Sequence, residues 1–414
     1  MNKAIMTSVA ICSAFAASAL TVTDVTARQR WPWNNLVDVD FTVNGDAGDA
    51  YAIDISASAA GGEKKLCATT YLSEPIAQSG VRTRIVWDLG ADYPNFKADD
   101  LRVTVTATPF TSTTPVYLVV DISGGTSATS WPVRYTTTAP THTAGVNDPC
   151  KTTELWLKRV KAGTNTDGSG NGGGYVSSTG AYYAEHTYVL TKDYYLGLFS
   201  LTQAQCMNIY GSYQSSFSNE TCRATRPVDS IAPVTLRNPY FNSSNPDAAL
   251  TGCLMKNLRD RTGLKFDLPT EWQWSYACKA GGSASRYTGA SASTIRCNSN
   301  SKPNSEYEWY SVQGMWSADY GTSYVDAYDP NAWGFYGMLG NVWECCINVS
   351  QTITKGETYT DPIGNSGDGR SRSRRGGAWN NDYSSAQATM RTAADPWNGT
   401  AWSWGARICL TIGE

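Results

Sequence analysis

One stretch constrains the fold of this chain more than any other: Gly334-Phe335-Tyr336-Gly337-Met338-Leu339-Gly340-Asn341-Val342-Trp343-Glu344-Cys345. Two glycines bracket an apolar turn and a Trp-Glu pair follows at once, which sets a carboxylate against a tight loop whose carbonyls face inward. Such a loop suits a hard cation. The same residue types suit a structural turn that buries Trp343 and caps Glu344, and by themselves they leave both readings open.

The chain begins Met1-Asn2-Lys3, runs through apolar residues from Ala4 to Ala17 and reaches Ala17-Ser18-Ala19. A charged start, an apolar run and a small-residue site form a secretory signal peptide, so residues 1–19 are expected to be removed. A transmembrane helix would need about 20 apolar residues, and this run is short and interrupted by Thr7, Ser8 and Ser13. No later segment is apolar enough to cross a bilayer. The mature protein is expected to be soluble and secreted, periplasmic or at the cell surface.

With 414 residues, 41% of them hydrophobic, the chain can bury one full core and more readily two. A net charge of -3 and the lack of an arginine-rich patch among aromatics disfavour nucleic acid as a partner. Trp and Tyr are abundant, at 15 and 24, and these residues serve cores and recognition surfaces alike. Of 11 cysteines, Cys12 leaves with the signal peptide; the even remainder in an exported chain reads as disulfides, and no C-x-x-C pair supports a thiolate metal site. Cys345 and Cys346 would be strained if joined to each other, so separate partners or a free thiol are expected.

Residues 20–138 alternate as strands do: Val37 to Val43, Tyr51 to Ile55 and Leu101 to Thr106, with the more apolar Thr83 to Trp87 and Tyr117 to Val120. Turn residues such as Asn44-Gly45-Asp46 separate them, and an all-β immunoglobulin-like or fibronectin-like sandwich follows. No catalytic constellation falls in it, so its expected role is to present what comes next. Residues 139–150, small and polar around Pro140, read as a linker into a second domain over 151–414. Inside that domain Gly168 to Gly174 has the glycines of a phosphate-cradling loop but no following Lys-Ser/Thr, and reads as a surface loop.

Three helix starts follow. Thr202 with Gln205, and Thr270 with Gln273, have capping-box spacing. Asn245-Pro246 opens the third helix, which Gly263 ends. On the helix after Thr270, Trp274 and Cys278 share a face, so this thiol should point into the core. A disulfide from Cys278 to Cys409 in the terminal strand is the one specific pairing expected.

Leu268 to Gly282, with Pro269-Thr270-Glu271-Trp272, precedes the Gly334 stretch, while Arg374-Arg375-Gly376-Gly377-Ala378-Trp379-Asn380-Asn381 and Gly405-Ala406-Arg407 follow it. In this order and spacing the motifs resemble the formylglycine-generating enzyme family, the sulfatase-modifying-factor domain, over about residues 151 to 414. The resemblance implies a C-type-lectin-like α+β fold. It implies calcium ligands at the carbonyls of Gly340 and Val342 and the carboxylate of Glu344, with Gly337 standing where the family has Asn or Asp.

The family's oxidases bind copper through two cysteines after their Arg-Gly-Gly-Ser motif, because soft thiolates suit Cu(I). Here no cysteine lies between Cys346 and Cys409, Ala378 replaces the serine, and Ser200 replaces the glutamate of an early Glu-Val-Thr segment. Copper is therefore not expected, and calcium is the cation that the resemblance leaves open beside the structural reading of the loop. A related branch of iron-dependent sulfoxide synthases uses three histidines, whereas this chain has only His142 and His186, which read as surface or capping residues.

The stretch from Trp379 to Trp404 is rich in Asn, Tyr, Ser and Trp and nearly free of aliphatics, as paratopes are. The resemblance extends to the variable proteins of diversity-generating retroelements, which alter Asn-rich positions in this part of the same fold. Trp379, Asn380, Asn381, Asp382, Tyr383, Ser385, Trp397, Asn398, Trp402 and Trp404 are the expected ligand face; the competing reading places the tryptophans in the core. The expected function is non-catalytic recognition of a protein or glycan. A metal-dependent sulfatase-modifying enzyme and a purely structural envelope component are the alternatives.

Overall fold

The computed structural model describes residues 20–30, 35–45, 50–72, 75–109, 116–168, 175–176, 181–182, 184–217, 223–238, 250–284, 321–349, 353–363, 372–381, 386–394 and 402–412. The expected signal peptide, the start of the third helix at Asn245-Pro246 and most of the Gly168 to Gly174 loop lie outside them. No helix among the described residues is long and apolar enough to cross a membrane.

Alternating sequence builds the N-terminal unit. Strand Leu36–Asn44 lies between Thr21–Gln29 and Arg82–Asp88, antiparallel to both. In the second sheet Ala50–Ala59 pairs along its length with Arg102–Pro109 and, on its other edge, with Lys64–Cys67 and Ile76–Gln78. Phe41, Ile55, Ile85, Trp87, Val103 and Val105 meet between the sheets with at most 2% exposure. Each large side chain buried this way contributes roughly 1.5–3 kcal/mol.

This sandwich closes at Pro109 rather than at residue 138. Tyr117–Asp121 and Val133–Thr136 instead complete a five-stranded antiparallel sheet of the second unit, in the order Cys409–Thr411, Tyr194–Gly197, Glu154–Val160, Tyr117–Asp121, Val133–Thr136. The cause is visible in the strand itself. Leu118, Val119 and Val120 are apolar on both faces and fully buried on both, which an inner position in a covered sheet supplies.

The expected linker is packed as well. His142 Nδ1 lies 3.0 Å from Asp326 Oδ2, and its ring stands edge-on to Phe199 and Tyr336. Lys151, also fully buried, donates to the same carboxylate oxygen at 2.7 Å. Small polar composition suggested a tether because the residue that holds it lies far along the chain.

A mixed six-stranded sheet runs Ala181–Tyr182, Tyr175–Val176, Arg391–Ala394, Arg372–Arg375, Trp343–Val349, Trp404–Ala406. Helices Gln203–Tyr210 and Glu271–Lys279 both start in complete capping boxes, at Thr202/Gln205 and Thr270/Gln273. The third expected helix spans Leu254–Thr262: it begins after Cys253 and ends at Gly263, whose φ of +75° suits glycine.

Candidate functional site

The four sequence motifs converge on Glu344, in strand Trp343–Val349. Arg407 grips its carboxylate with two parallel bonds, Nε to Oε2 and Nη2 to Oε1, each 2.9 Å. Ser200 donates to Oε1 at 2.6 Å, and the indole N–H of Trp274 donates to Oε2. Gly340 donates its N–H to the Gly376 carbonyl at 2.8 Å, and Gly376, at φ +98°, has the Met338 carbonyl where a Cβ would sit. A side chain there is excluded twice, by backbone conformation and by space.

This geometry gives Glu344 a different partner from the expected calcium. Its carboxylate is 1% exposed and already accepts four hydrogen bonds, two of them from a guanidinium that neutralises it. The Gly340 carbonyl accepts from the Val342 N–H at 2.9 Å. Ser200, at the family's glutamate position, serves as a donor where a second carboxylate would repel the first.

A second buried charge cluster anchors the strands on either side of residues 376–390. Arg375 reaches Asp167 at 2.8 Å and Glu271 at 3.0 Å, Arg391 holds Glu271 through two bonds of 2.8 Å, and Lys279 meets Asp167 at 3.1 Å. Burial opposes ionisation of Asp167, but Arg375 and Lys279 outweigh it and hold the carboxyl below the usual range. The neighbouring Arg374 faces the other way, its guanidinium 3.8 Å over the Trp404 ring, and burial lowers its pKa to about 10.

These anchors sort the expected ligand face. Trp379 is buried at 2% exposure, edge-on to Phe217, and donates its indole N–H to the Trp402 carbonyl at 2.9 Å. Trp404 packs half-buried beside Trp343, Ala378 and Met390. Trp402 is 49% exposed and Asn380 is exposed, with Asn381 half-buried beside it. The core reading therefore holds for Trp379 and in part for Trp404, and the surface reading for Trp402. Asp382, Tyr383, Ser385, Trp397 and Asn398 lie outside the described residues.

The disulfide expected between Cys278 and Cys409 is not formed: both are free thiols, as are the other six cysteines among the described residues. Both are buried in one cluster, as the shared face with Trp274 predicts, but the Cys409 sulfur lies 3.7 Å from Gln273 Oε1. His186 is also interior. Its Nε2 accepts from Trp272 at 2.7 Å while Nδ1 donates to the Ala184 carbonyl at 2.9 Å, a neutral tautomer that burial favours by pushing the pKa down.

Sequence reasoning missed the segment from Gly211 to Ser230. Phe217 backs Trp379, and the Asp229 carbonyl accepts from the Trp404 N–H at 2.9 Å, with Ser230 bridged to Trp404. The Asp229 side chain, fully buried, accepts from Ser215, from the Ser216 N–H at 2.7 Å and from Ser230 at 3.0 Å. Burial outweighs these bonds and raises its pKa to about 6. Nothing in the local sequence signals the packing of this segment against Trp379 and Trp404, because those two partners lie far along the chain.

An antiparallel sheet, a mixed sheet and two capped helices joined through a buried Glu-Arg hub define an α+β domain. The chain belongs to the FGE-sulfatase family, the sulfatase-modifying factor enzyme 1-like domain, whose family model matches residues 154–411. It is 24% identical over 259 residues to the chaperone protein LppX of Paenibacillus barcinonensis, covering 57% of this chain and 86% of that protein. It is 32% identical over 120 residues to the formylglycine-generating enzyme of Streptomyces coelicolor, covering 27% of this chain and 35% of that enzyme. Among solved structures it is similar to Treponema denticola variable protein 1, at 19% identity and a TM-score of 0.48, covering 66% of this chain and 98% of that one. PvdO from Pseudomonas aeruginosa is similar at 15% identity and a TM-score of 0.45, covering 66% of this chain and 100% of that one.

Proposed function

We propose that this chain is an exported, non-catalytic binding protein that recognises a protein or glycan through the surface around Trp402 and Asn380. The observation that carries the reading is Trp402. A tryptophan with 49% of its surface exposed is held by its own carbonyl against the buried Trp379, so a large aromatic is presented outward from a rigid support. Exposed aromatics on rigid supports lose little entropy on binding and serve as hot spots.

Copper oxidase chemistry requires two thiolates able to converge on one ion. Cys345 and Cys346, adjacent on one strand, belong to opposite cores, and burial pushes the first thiol up to about 11 and the second well above its usual value. Neither is a ready thiolate at neutral pH. This favours binding over oxidation.

The test uses the purified mature protein on glycan arrays and on a panel of cell-surface proteins. Trp402→Ala should abolish capture while leaving the melting temperature nearly unchanged, and Trp379→Ala should destabilise by about 3–5 kcal/mol as a core truncation. Capture that survives Trp402→Ala, or copper-dependent conversion of a sulfatase-motif cysteine peptide to formylglycine, would overturn the proposal.

A further inference from the structure

Behind the Trp402 surface one hydroxyl proton is shared between two acceptors. Asp229 is fully buried, and its Oδ1 accepts from the Ser216 N–H at 2.7 Å and from the Ser230 hydroxyl at 3.0 Å. Its Oδ2 meets the Ser215 hydroxyl. That hydroxyl also lies 3.0 Å from the Phe217 carbonyl oxygen, and it accepts from the Phe217 N–H at 2.9 Å. Ser215 therefore has a single proton for two facing oxygens.

With Asp229 ionised, one of these two oxygen contacts holds no hydrogen and is repulsive. With Asp229 protonated, its O–H donates to Ser215 and Ser215 donates to the Phe217 carbonyl, so every contact is a hydrogen bond and both lone pairs of the Ser215 oxygen are used. The arrangement is that of the protonated acid. The leading influences on this carboxyl are neutral: burial first, then bonds from Ser215, Ser216, Ser230 and the Phe217 N–H. The charged groups on the segments around it are Arg223, stacked over Tyr213, the buried Arg226, and Arg374, stacked over Trp404. Asp326, beside the Val325 that donates to the Thr225 carbonyl, is paired with Lys151. From helix Gln203–Tyr210 the facing side chain is the neutral Gln203, which donates to the Phe217 carbonyl at 3.2 Å.

Two contacts carry the state of this carboxyl to the surface. The Phe217 ring stands edge-on to Trp379, whose indole N–H donates to the Trp402 carbonyl at 2.9 Å, and the Asp229 carbonyl accepts from the Trp404 N–H at 2.9 Å. We propose that Asp229 and Ser215 form a proton-operated clasp that tightens the support of Trp402 in mildly acidic surroundings and loosens it at neutral pH, so that the surface captures its ligand more strongly when acidified. The ligand step rests on the binding reading; the clasp itself does not. Because the folded carboxyl titrates at about 6 against an ordinary 3.8, the stability it contributes is fully present below 3.8 and is lost as pH rises through about 6.

The experiment is fluorine NMR of the full chain labelled with fluorotryptophan, the Trp402 resonance being identified by its loss in Trp402→Phe. That resonance should titrate with a midpoint of about 6. Hydrogen exchange of residues 212–217, taken as a ratio to Asp229→Asn at each pH, should slow about tenfold from about pH 7.5 to about pH 5, as linkage requires of a carboxyl shifted from 3.8 to about 6. Asp229→Asn, whose amide donates to Ser215 as the protonated acid does, should hold the Trp402 resonance constant over this range, and thermal unfolding checks that the variant is folded. A Trp402 resonance that does not titrate, or one that titrates equally in Asp229→Asn, overturns the clasp. Whatever the wild type captures on the glycan arrays and protein panel should be held more strongly at the acidic end, by up to about tenfold, and equally at both ends by Asp229→Asn. Capture that ignores pH in the wild type overturns the gating. A titrating Trp402 resonance with no capture at either pH upholds the clasp and removes the binding reading, so the two failures are told apart.

Discussion

Replacing Glu344 with glutamine keeps the size of the side chain and removes its charge, which isolates what the carboxylate does. In the native protein Arg407 is fully buried, donates both parallel bonds to Glu344 and finds no other carboxylate in its ion pairing among the described residues. The substitution leaves that guanidinium buried without a counter-charge and turns an amide N–H₂ toward donors. Breaking a buried pair by removing one partner destabilises by about 3–5 kcal/mol. For a domain of this size each kcal/mol shifts the melting temperature by about 2–4 °C, so a fall of roughly 6–20 °C is expected. The assay is thermal unfolding followed by near-ultraviolet circular dichroism, which reports the tryptophans around the hub, run with and without EDTA. The fall should be the same in both, and EDTA should not reproduce it in the wild type. A loss below about 1 kcal/mol would refute the ion-pair account. A wild-type loss on chelation that Glu344→Gln removes would restore a cation to this carboxylate.

Two further outcomes follow from other buried groups. Asp229 has a folded pKa of about 6 against an ordinary 3.8, so the folded state holds this proton more tightly than the unfolded chain. Its ionised form opposes folding above about 6, and that penalty is relieved as pH falls toward 3.8. The stability difference between Asp229→Asn and the wild type, read from urea midpoints, should therefore move in favour of the wild type between neutral and mildly acidic pH; a constant difference would contradict the burial argument. Of the eight cysteines described, only Cys67 is exposed, so it alone of these should react quickly with a thiol reagent in the native protein. Cys278 and Cys409 should react only after denaturation, and recovery of a Cys278–Cys409 disulfide peptide would show that their free, buried arrangement is wrong.

Much of the architecture was legible because its causes are local. Thr202 and Gln205, or Thr270 and Gln273, lie three residues apart, and their capping boxes need nothing from the rest of the chain. Alternation at Val37 to Val43 and Tyr51 to Ile55 is likewise a property of each strand. The Pro-Thr-Glu-Trp, Gly-Asn-Val-Trp-Glu and Arg-Arg-Gly-Gly motifs, in order, named the family and with it the α+β fold.

What tertiary structure decided is which partner each ambiguous residue receives. Glu344 suits calcium or an arginine equally by type, and only folding delivers Arg407, 63 residues later, into bidentate contact. Tyr117 to Val120 reads as a strand of either unit until Glu154–Val160 pairs with it. The tryptophans near the C-terminus are alike in sequence, yet Phe217 covers Trp379 while Trp402 is left at the surface. Residue type and spacing determine the elements of this protein; burial, which depends on contacts distant in sequence, determines which of its charged and aromatic residues hold the fold and which are left at the surface.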